Sequence, residues 1–206
     1  MIAVFGGSFD PIHIGHLRLA EDVREYFGFR QVVFMPAHIS PFKEGHFASA
    51  EDRINMIKLS IKDNPYFKVS DFEIKKGGKS YTIDTIKFLK QEYENIFFIL
   101  GTDTLLSLHK WKDHKKLVNL TNFIILLRGD DLEKNVENYI KKYFPEKTLV
   151  KNNNIDLSKT SFYLHKTRKI DISSTEIRKR IKEGRSIKYL VLPSVEKYIE
   201  EKKLYL

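Results

Sequence analysis

Cysteine is absent from all 206 residues, which excludes a disulfide framework, a thiolate nucleophile and a cysteine-ligated zinc, and removes any need for an oxidising compartment. Glycine and proline are sparse, at 10 and 6 residues, so a fibrous or low-complexity chain is excluded as well. No stretch approaches the roughly eighteen apolar residues of a membrane-spanning helix. The opening Met-Ile-Ala-Val-Phe-Gly-Gly lacks the basic segment and long apolar run of a secretory signal, and the expectation is a cytoplasmic protein without a membrane partner. A complete Walker-type Gly-x-x-x-x-Gly-Lys-Ser/Thr phosphate signature is missing too.

What is present describes a globular chain. Hydrophobic residues make up 42% and aromatics 13%, enough for a core, and the length favours a single domain over residues 1–206, with the part from about 170 onward forming a C-terminal helical part. Lysine and arginine exceed aspartate and glutamate by 36 − 27 = +9, and a basic surface of that kind attracts polyanions, nucleotide triphosphates among them. The basic residues are spread along the chain, mostly as lysines on helical faces. A nucleic-acid-binding module, the rival from another class, needs basic residues clustered with stacking aromatics. No nucleic-acid partner is expected, and the pattern sets no oligomeric state.

The order of elements follows from the apolar spacing. Ile2 to Phe5 reads as a strand ending in Gly6-Gly7, and Leu17, Ala20, Val23 and Phe27 lie on one helical face that Gly28 stops. Gln31 to Met35 reads as a strand closed by Pro36, a helix begins near Ser49 with Ile54, Ile57 and Ile61 inward, and Phe67 to Ile74 reads as a strand. Thr82 to Tyr93 reads as a helix, Ile96 to Leu100 and Phe123 to Leu127 as fully buried strands, and Asp103 to Val118 as a helix between them. A charged helix from about Leu132 to Phe144 and weak strand signals near Thr148 and from Phe162 to His165 follow, and two helices open at Ser173-Ser174 and at Pro193. Strands alternating with helices predict an α/β fold with a Rossmann-like, doubly wound parallel sheet.

Chemistry concentrates in Gly6-Gly7-Ser8-Phe9-Asp10-Pro11-Ile12-His13-Ile14-Gly15-His16. A strand precedes it and a helix follows, which in an open α/β sheet is where ligands settle. Glycine at 6, 7 and 15 leaves room for a phosphate against the backbone, N–H groups at a helix start attract anions, and two imidazoles at 13 and 16 can reach oxygens of one phosphate chain. Locally the same residues also fit a tight turn with histidines capping the helix. A zinc reading lacks a third ligand and a glutamate base, so no metal site is expected. The run resembles the nucleotidyltransferase superfamily marked by a His-Ile-Gly-His motif, present here at 13 to 16, and over nearly the whole chain it is similar to the bacterial nicotinate-nucleotide adenylyltransferases, whose Gly-Gly-Ser/Thr-Phe-Asp-Pro-x-His-x-Gly-His-Leu segment is matched from Gly6 to Leu17. The resemblance implies a Rossmann-like sheet and a reaction in which ATP and nicotinate mononucleotide give the dinucleotide and pyrophosphate, with magnesium bound to the substrate phosphates.

Further segments agree with that family. Ile172-Ser173-Ser174-Thr175-Glu176-Ile177-Arg178 is a capping box in its own right, Ser173 with Glu176, and it also reproduces the family's Ile-Ser-Ser-Thr-x-Ile/Leu-Arg phosphate element. The resemblance implies that His13, His16, Lys43 and Arg178 are catalytic, and that Gly6, Gly7, Ser8, Phe9, Gly15, Gly101, Asp103, Arg128, Ile172, Ser173, Ser174 and Thr175 bind ATP. It places Ser80, Tyr81, Thr82, Thr85 and Trp111 on the acceptor, the tryptophan stacked on the pyridine ring. Two departures stand out: the family has a proline between Arg128 and Gly129, and a histidine where this chain has Phe42 in Pro41-Phe42-Lys43. The nearest rival acceptors are nicotinamide mononucleotide and phosphopantetheine; for the latter family, threonine at the position of His13 is usual.

Overall fold

A computed structural model describes residues 1–41, 45–128 and 133–206. β1 (Ile2–Gly7) leads into α1 (Ile14–Phe27), and β2 (Val32–Pro36) is followed by α2 (Ala50–Ile61) and the short β3 (Phe67–Val69). Two helices, α3 (Phe72–Lys76) and α4 (Thr82–Leu89), precede β4 (Ile96–Gly101). Then come α5 (Thr102–Leu105), a 3₁₀ turn at Leu108–Lys110, α6 (His114–Leu120), β5 (Asn122–Arg128), α7 (Glu133–Tyr143), β6 (Leu149–Val150), β7 (Phe162–Thr167), α8 (Ser174–Lys182) and α9 (Pro193–Glu201). Among the described residues no helix is long and apolar enough to cross a membrane.

The strands form one seven-stranded sheet in the order β3-β2-β1-β4-β5-β7-β6. The pairs β1–β4, β4–β5, β5–β7 and β6–β7 run parallel, so the expected Rossmann-like α/β fold is the observed one. Strand order reverses between β1 and β4, the switch point outside whose carboxyl ends such sheets bind ligands. The two strands end at Gly7 and Gly101. Continuous apolar strands are explained by burial of both faces: Ile2, Ala3, Val4, Ile96, Phe97, Ile124 and Ile125 are fully buried.

The described residues group into two compact units, each assembled from three segments. One comprises Met1–Gly6, Asp22–Val32 and Tyr81–Lys169, and its core is aromatic: Phe97 lies 4.9 Å from Phe29 and 5.6 Å from Tyr163, and Phe123 stacks on Phe162 at 5.3 Å. The other comprises Gly7–Glu21, Val33–Ser80 and Ile170–Leu206. There Phe34 meets Phe9 and Phe67 edge-on at 5.6 and 5.3 Å, and the Tyr198 hydroxyl of α9 donates to Asp52 of α2 at 2.9 Å. Ser49 caps α2 by accepting the Asp52 N–H at 3.0 Å, where the sequence puts that helix start.

Two elements differ from expectation. The strand expected over Phe67 to Ile74 stops at Val69; the Ser70 N–H makes one more bond, to the Phe34 carbonyl at 2.9 Å, and Asp71 then starts α3 by accepting the Lys75 N–H at 2.8 Å. Ser70, whose Oγ accepts the Phe72 N–H at 3.4 Å, and Asp71, whose carboxylate pairs with Lys75 one turn on at 2.9 Å, favour a turn and short helix over a continued strand. The helix expected over Asp103 to Val118 is broken into α5, the 3₁₀ turn and α6, with Asp113 at φ 52 in the left-handed region, where a helix of L-residues cannot continue.

Candidate active site

Past β1 the chain turns through Phe9, itself left-handed at φ 48, and enters α1 with His13 just before the helix and His16 in its first turn. The two histidines cap one another. The His16 N–H donates to Nδ1 of His13 and the His13 N–H donates to Nδ1 of His16, both at 3.3 Å, the reciprocal pattern of a capping box built from two imidazoles. Their rings stack with centroids 3.6 Å apart, and Phe9 packs edge-on to His16 at 5.1 Å. Because Nδ1 accepts on each ring, the proton of each neutral imidazole sits on Nε2.

The glycines serve the protein's own rings first. A Cβ at Gly15 would lie 3.0 Å from Nδ1 of His13, and one at Gly6 only 2.7 Å from Cζ of Phe98. At these two positions a missing Cβ leaves room for the rings of Phe98 and His13. At Gly101 an added Cβ would meet nothing within 4 Å, so the backbone at the end of β4 can be approached.

The segment from Ile172 to Arg178 is tied to the histidine turn within one unit. Ser173 caps α8 by accepting the Glu176 N–H at 3.1 Å, Ser174 Oγ donates to the Pro11 carbonyl at 2.8 Å, and Arg178 Nη1 donates to the Asp10 carbonyl at 2.7 Å. Arg178 Nη2 also reaches Thr175 Oγ1 at 3.2 Å, and its guanidinium lies 4.2 Å above the Phe47 ring. Ile172 and Ser174 are half-buried, and Ser173 and Thr175 are exposed.

Sequence reading misses the polar network beneath. Asp10, 4% exposed, accepts the N–H groups of Phe47 at 2.7 Å and Ala48 at 3.1 Å and the Tyr205 hydroxyl at 2.8 Å, with the His46 ring 4.0 Å away. Arg53, 1% exposed, donates through Nη1 to the carbonyls of Ser8 and Ala37 at 2.9 and 2.8 Å. Burial lowers its pKa from the usual arginine value, while the Asp10 charge pushes the other way; burial, then Asp10, raises that of Tyr205. Only the inward face of α2 could have signalled this, and that face is Arg53, Met56, Ile57 and Ile61, with Ile54 half-buried.

In the other unit, Asp103 is exposed in the first turn of α5, while Thr102 beside it is buried and donates to the Leu126 carbonyl at 3.1 Å. Trp111 is half-buried, edge-on to Phe98 at 6.2 Å, and its Nε1 donates to Ser107 Oγ at 3.2 Å. Tyr81 and Thr82 open α4, both half-buried, with Lys112 Nζ 4.5 Å over the Tyr81 ring. Thr85 is 0% exposed, its side chain inside the unit, because it shares the inward face of α4 with Ile83, Ile86 and Leu89. Ser80 belongs to the unit of the histidines, where its Oγ accepts the His38 N–H at 2.9 Å. Lys43 lies outside the described residues, as does the side chain of Arg128, whose backbone ends β5.

A parallel α/β sheet carrying this histidine turn at the end of its first strand is the framework of a nucleotidyltransferase. The cytidylyltransferase-like family matches the chain over residues 4–180. A relative from Aquifex aeolicus (strain VF5), named as a probable nicotinate-nucleotide adenylyltransferase, is 47% identical over 178 residues, covering 85% of this chain and 100% of its own. One of the same name from Desulfatibacillum aliphaticivorans is 40% identical and covers 100% and 99%. The chain belongs to the cytidylyltransferase-like family and, within it, to the nicotinate-nucleotide adenylyltransferases. In fold it is similar to the Plasmodium falciparum nicotinic acid mononucleotide adenylyltransferase complexed with NaAD, with a TM-score of 0.75 at 22% identity over 99% of this chain and 96% of that one.

The mutual cap makes a stability prediction. His13→Ala and His16→Ala should each cost about 0.5–2 kcal/mol, as loss of a helix N-cap does. The double variant should lose less than the sum, since the ring stack is lost once. Urea titrations of the three proteins measure this, and strict additivity would show that the two rings do not act as a pair.

Proposed function

We propose that the chain transfers the adenylyl group of ATP to the 5′-phosphate of nicotinate mononucleotide, giving nicotinate adenine dinucleotide and pyrophosphate. The observation that carries the reading is the mutual His13–His16 cap tied through Ser174 and Arg178 to the second phosphate segment, in a chain of this family. An acceptor phosphate oxygen attacks the α-phosphorus, that P–O bond forms, and the bond to the oxygen bridging to the β-phosphorus breaks. The phosphate is itself the nucleophile, so catalysis is positioning and neutralisation of charge.

In this scheme His13 and His16 donate through Nε2–H to oxygens around the α-phosphate, and backbone at Gly6, Gly7, Ser8, Phe9 and Gly15 lines the phosphate path. The amino end of α8, with Ile172, Ser173, Ser174 and Thr175, receives the leaving pyrophosphate together with Arg178, since helix N-termini favour anions. Lys43 adds a phosphate contact, Gly101 and Asp103 meet the ribose, and Arg128 lies by the adenylyl group. Tyr81, Thr82 and Trp111 take the acceptor; Ser80 acts through the loop it anchors. Magnesium would come with the triphosphate and would supply neutralisation of phosphate charge.

The deciding experiment compares acceptors. Specificity constants for nicotinate mononucleotide should exceed those for nicotinamide mononucleotide and phosphopantetheine, because N–H groups at the start of α4 favour the pyridine carboxylate. Equal constants for acid and amide would overturn the acceptor assignment. His16→Ala should retain its fold and lose turnover on the order of a hundredfold, read by pyrophosphate release; unchanged turnover would remove His16 from the chemistry.

Trp111 tests the acceptor face separately. Half-buried and edge-on to Phe98, it has a face that can stack on a pyridine ring. Trp111→Ala should raise the acceptor KM and leave that of ATP nearly unchanged, a loss of about 0.5–1.5 kcal/mol from the aromatic pair, with partial recovery in Trp111→Phe. A large drop in melting temperature with both substrates affected alike would instead mark a core residue.

A further inference from the structure

Arg178 is held from more sides than its place in a short motif requires. Its Nη1 donates to the Asp10 carbonyl at 2.7 Å, its Nη2 to Thr175 Oγ1 at 3.2 Å, and its Cζ lies over the Phe47 ring, 4.2 Å from the centroid. The Phe47 ring is 66% exposed, so its own burial does not explain where it sits. Its main chain does: the Phe47 N–H is fixed on Asp10 Oδ2 at 2.7 Å. Asp10 therefore grips Arg178 twice, directly through its carbonyl and indirectly through its carboxylate and the Phe47 ring.

The carboxylate is in turn aimed from below. Oδ1 receives the Ala48 N–H at 3.1 Å and the Tyr205 hydroxyl at 2.8 Å. Tyr205 is buried and stands at φ 67, a left-handed conformation that a non-glycine residue keeps only when its surroundings hold it there, and such strain clusters at functional sites. Burial and the adjacent carboxylate keep the phenol protonated, so it stays a donor.

We propose that Asp10, Phe47 and Tyr205 form a positioning unit that aims Arg178, so that a tyrosine outside the phosphate segments sets how well the triphosphate is held. The inference rests on the reading that Arg178 contacts the ATP phosphates. None of the three touches substrate in this scheme; they act through Arg178. A guanidinium fixed at an edge and a face before the nucleotide arrives has less orientational freedom to lose on binding.

Steady-state kinetics for ATP and for nicotinate mononucleotide, with thermal melts, test this in Tyr205→Phe, Phe47→Leu and Phe47→Tyr, each also made in an Arg178→Ala background. Tyr205→Phe and Phe47→Leu should each raise the ATP KM about threefold to tenfold with the acceptor KM unmoved, while Phe47→Tyr, which keeps the aromatic face, stays near wild type. With Arg178 already Ala, neither substitution should add more than about twofold. A folded Tyr205→Phe protein with normal ATP kinetics overturns the proposal, as does the same effect with and without Arg178, or a joint rise of both constants with a falling melting temperature. If Tyr205→Phe fails to fold, the Phe47 pair decides. If Arg178→Ala leaves ATP kinetics intact, the phosphate role of Arg178 falls and this inference with it; if Arg178→Ala is damaging and Tyr205→Phe and Phe47→Leu are silent, this inference alone falls.

Discussion

Burial of the Asp10 carboxylate and the Arg53 guanidinium is the constraint on which the histidine-bearing unit depends. At 4% and 1% exposure both have left water, and burying an ion costs more the more of its bonding capacity is left unmet. Asp10 is met by two backbone N–H groups and the Tyr205 hydroxyl, and Arg53 through Nη1 by the carbonyls of Ser8 and Ala37, while its buried Nε makes no hydrogen bond among the described residues. Those carbonyls follow β1 and β2, and the Ala37 N–H is itself bonded to the Gly7 carbonyl at 2.9 Å. The charge of Arg53 thus requires the two strand exits to lie side by side. The course of the turn that delivers His13 and His16 follows from that requirement.

Given that course, the histidines face a choice between structure and chemistry that the mutual cap resolves. An imidazolium has no acceptor nitrogen, so each ring keeps its cap only while Nδ1 is unprotonated. The cap therefore fixes which nitrogen remains to donate and fixes the ring planes through the stack at 3.6 Å. A reaction whose nucleophile and leaving group are both phosphates asks the protein for oriented donors more than for proton transfer. Neutral imidazoles locked by their own helix are donors of that kind. Under the proposed function, helix capping and phosphate recognition, alternatives on the sequence, are the same arrangement.

Much of this was legible because it is local. Continuous apolar runs at Ile2 to Phe5, Ile96 to Leu100 and Phe123 to Leu127 mark parallel strands, and Ser173 with Glu176 marks the start of α8. What escaped is tertiary. Arg53 lies on a helix whose isoleucines invite a different inward face, and its partners Ser8 and Ala37 are remote in sequence. Asp10 stands inside the quoted motif, but nothing there points to Tyr205, 195 residues away. The burial of Thr85 was hidden for the complementary reason: a family pattern carries residue identity, while the face of α4 that turns inward is set by Ile83, Ile86 and Leu89 packing with it. The glycines at 6 and 15 stand out in the sequence for phosphate approach, and the packing of Phe98 and His13 against them adds a tertiary reason for a missing Cβ.

The network also explains how two segments far apart in the chain act as one. Ser174 and Arg178 do not meet the side chains of the first motif; they bond to the carbonyls of Pro11 and Asp10. Backbone partners make the tie insensitive to the titration of the groups around it, and they place α8 by the same turn whose direction Asp10 and Arg53 set. The division of labour follows from the two helix starts. At α1 the N–H groups of His13 and His16 are engaged by imidazoles and that of Ile14 by the Leu190 carbonyl, so that end presents directional side-chain donors. At α8 a single serine caps one N–H, and the other early N–H groups of a helix have no partner within it, so that end keeps the partial positive charge suited to an anion that must bind and then leave. Directional donors where the charge develops and a diffuse field where the product departs is the distribution that in-line transfer of an adenylyl group needs.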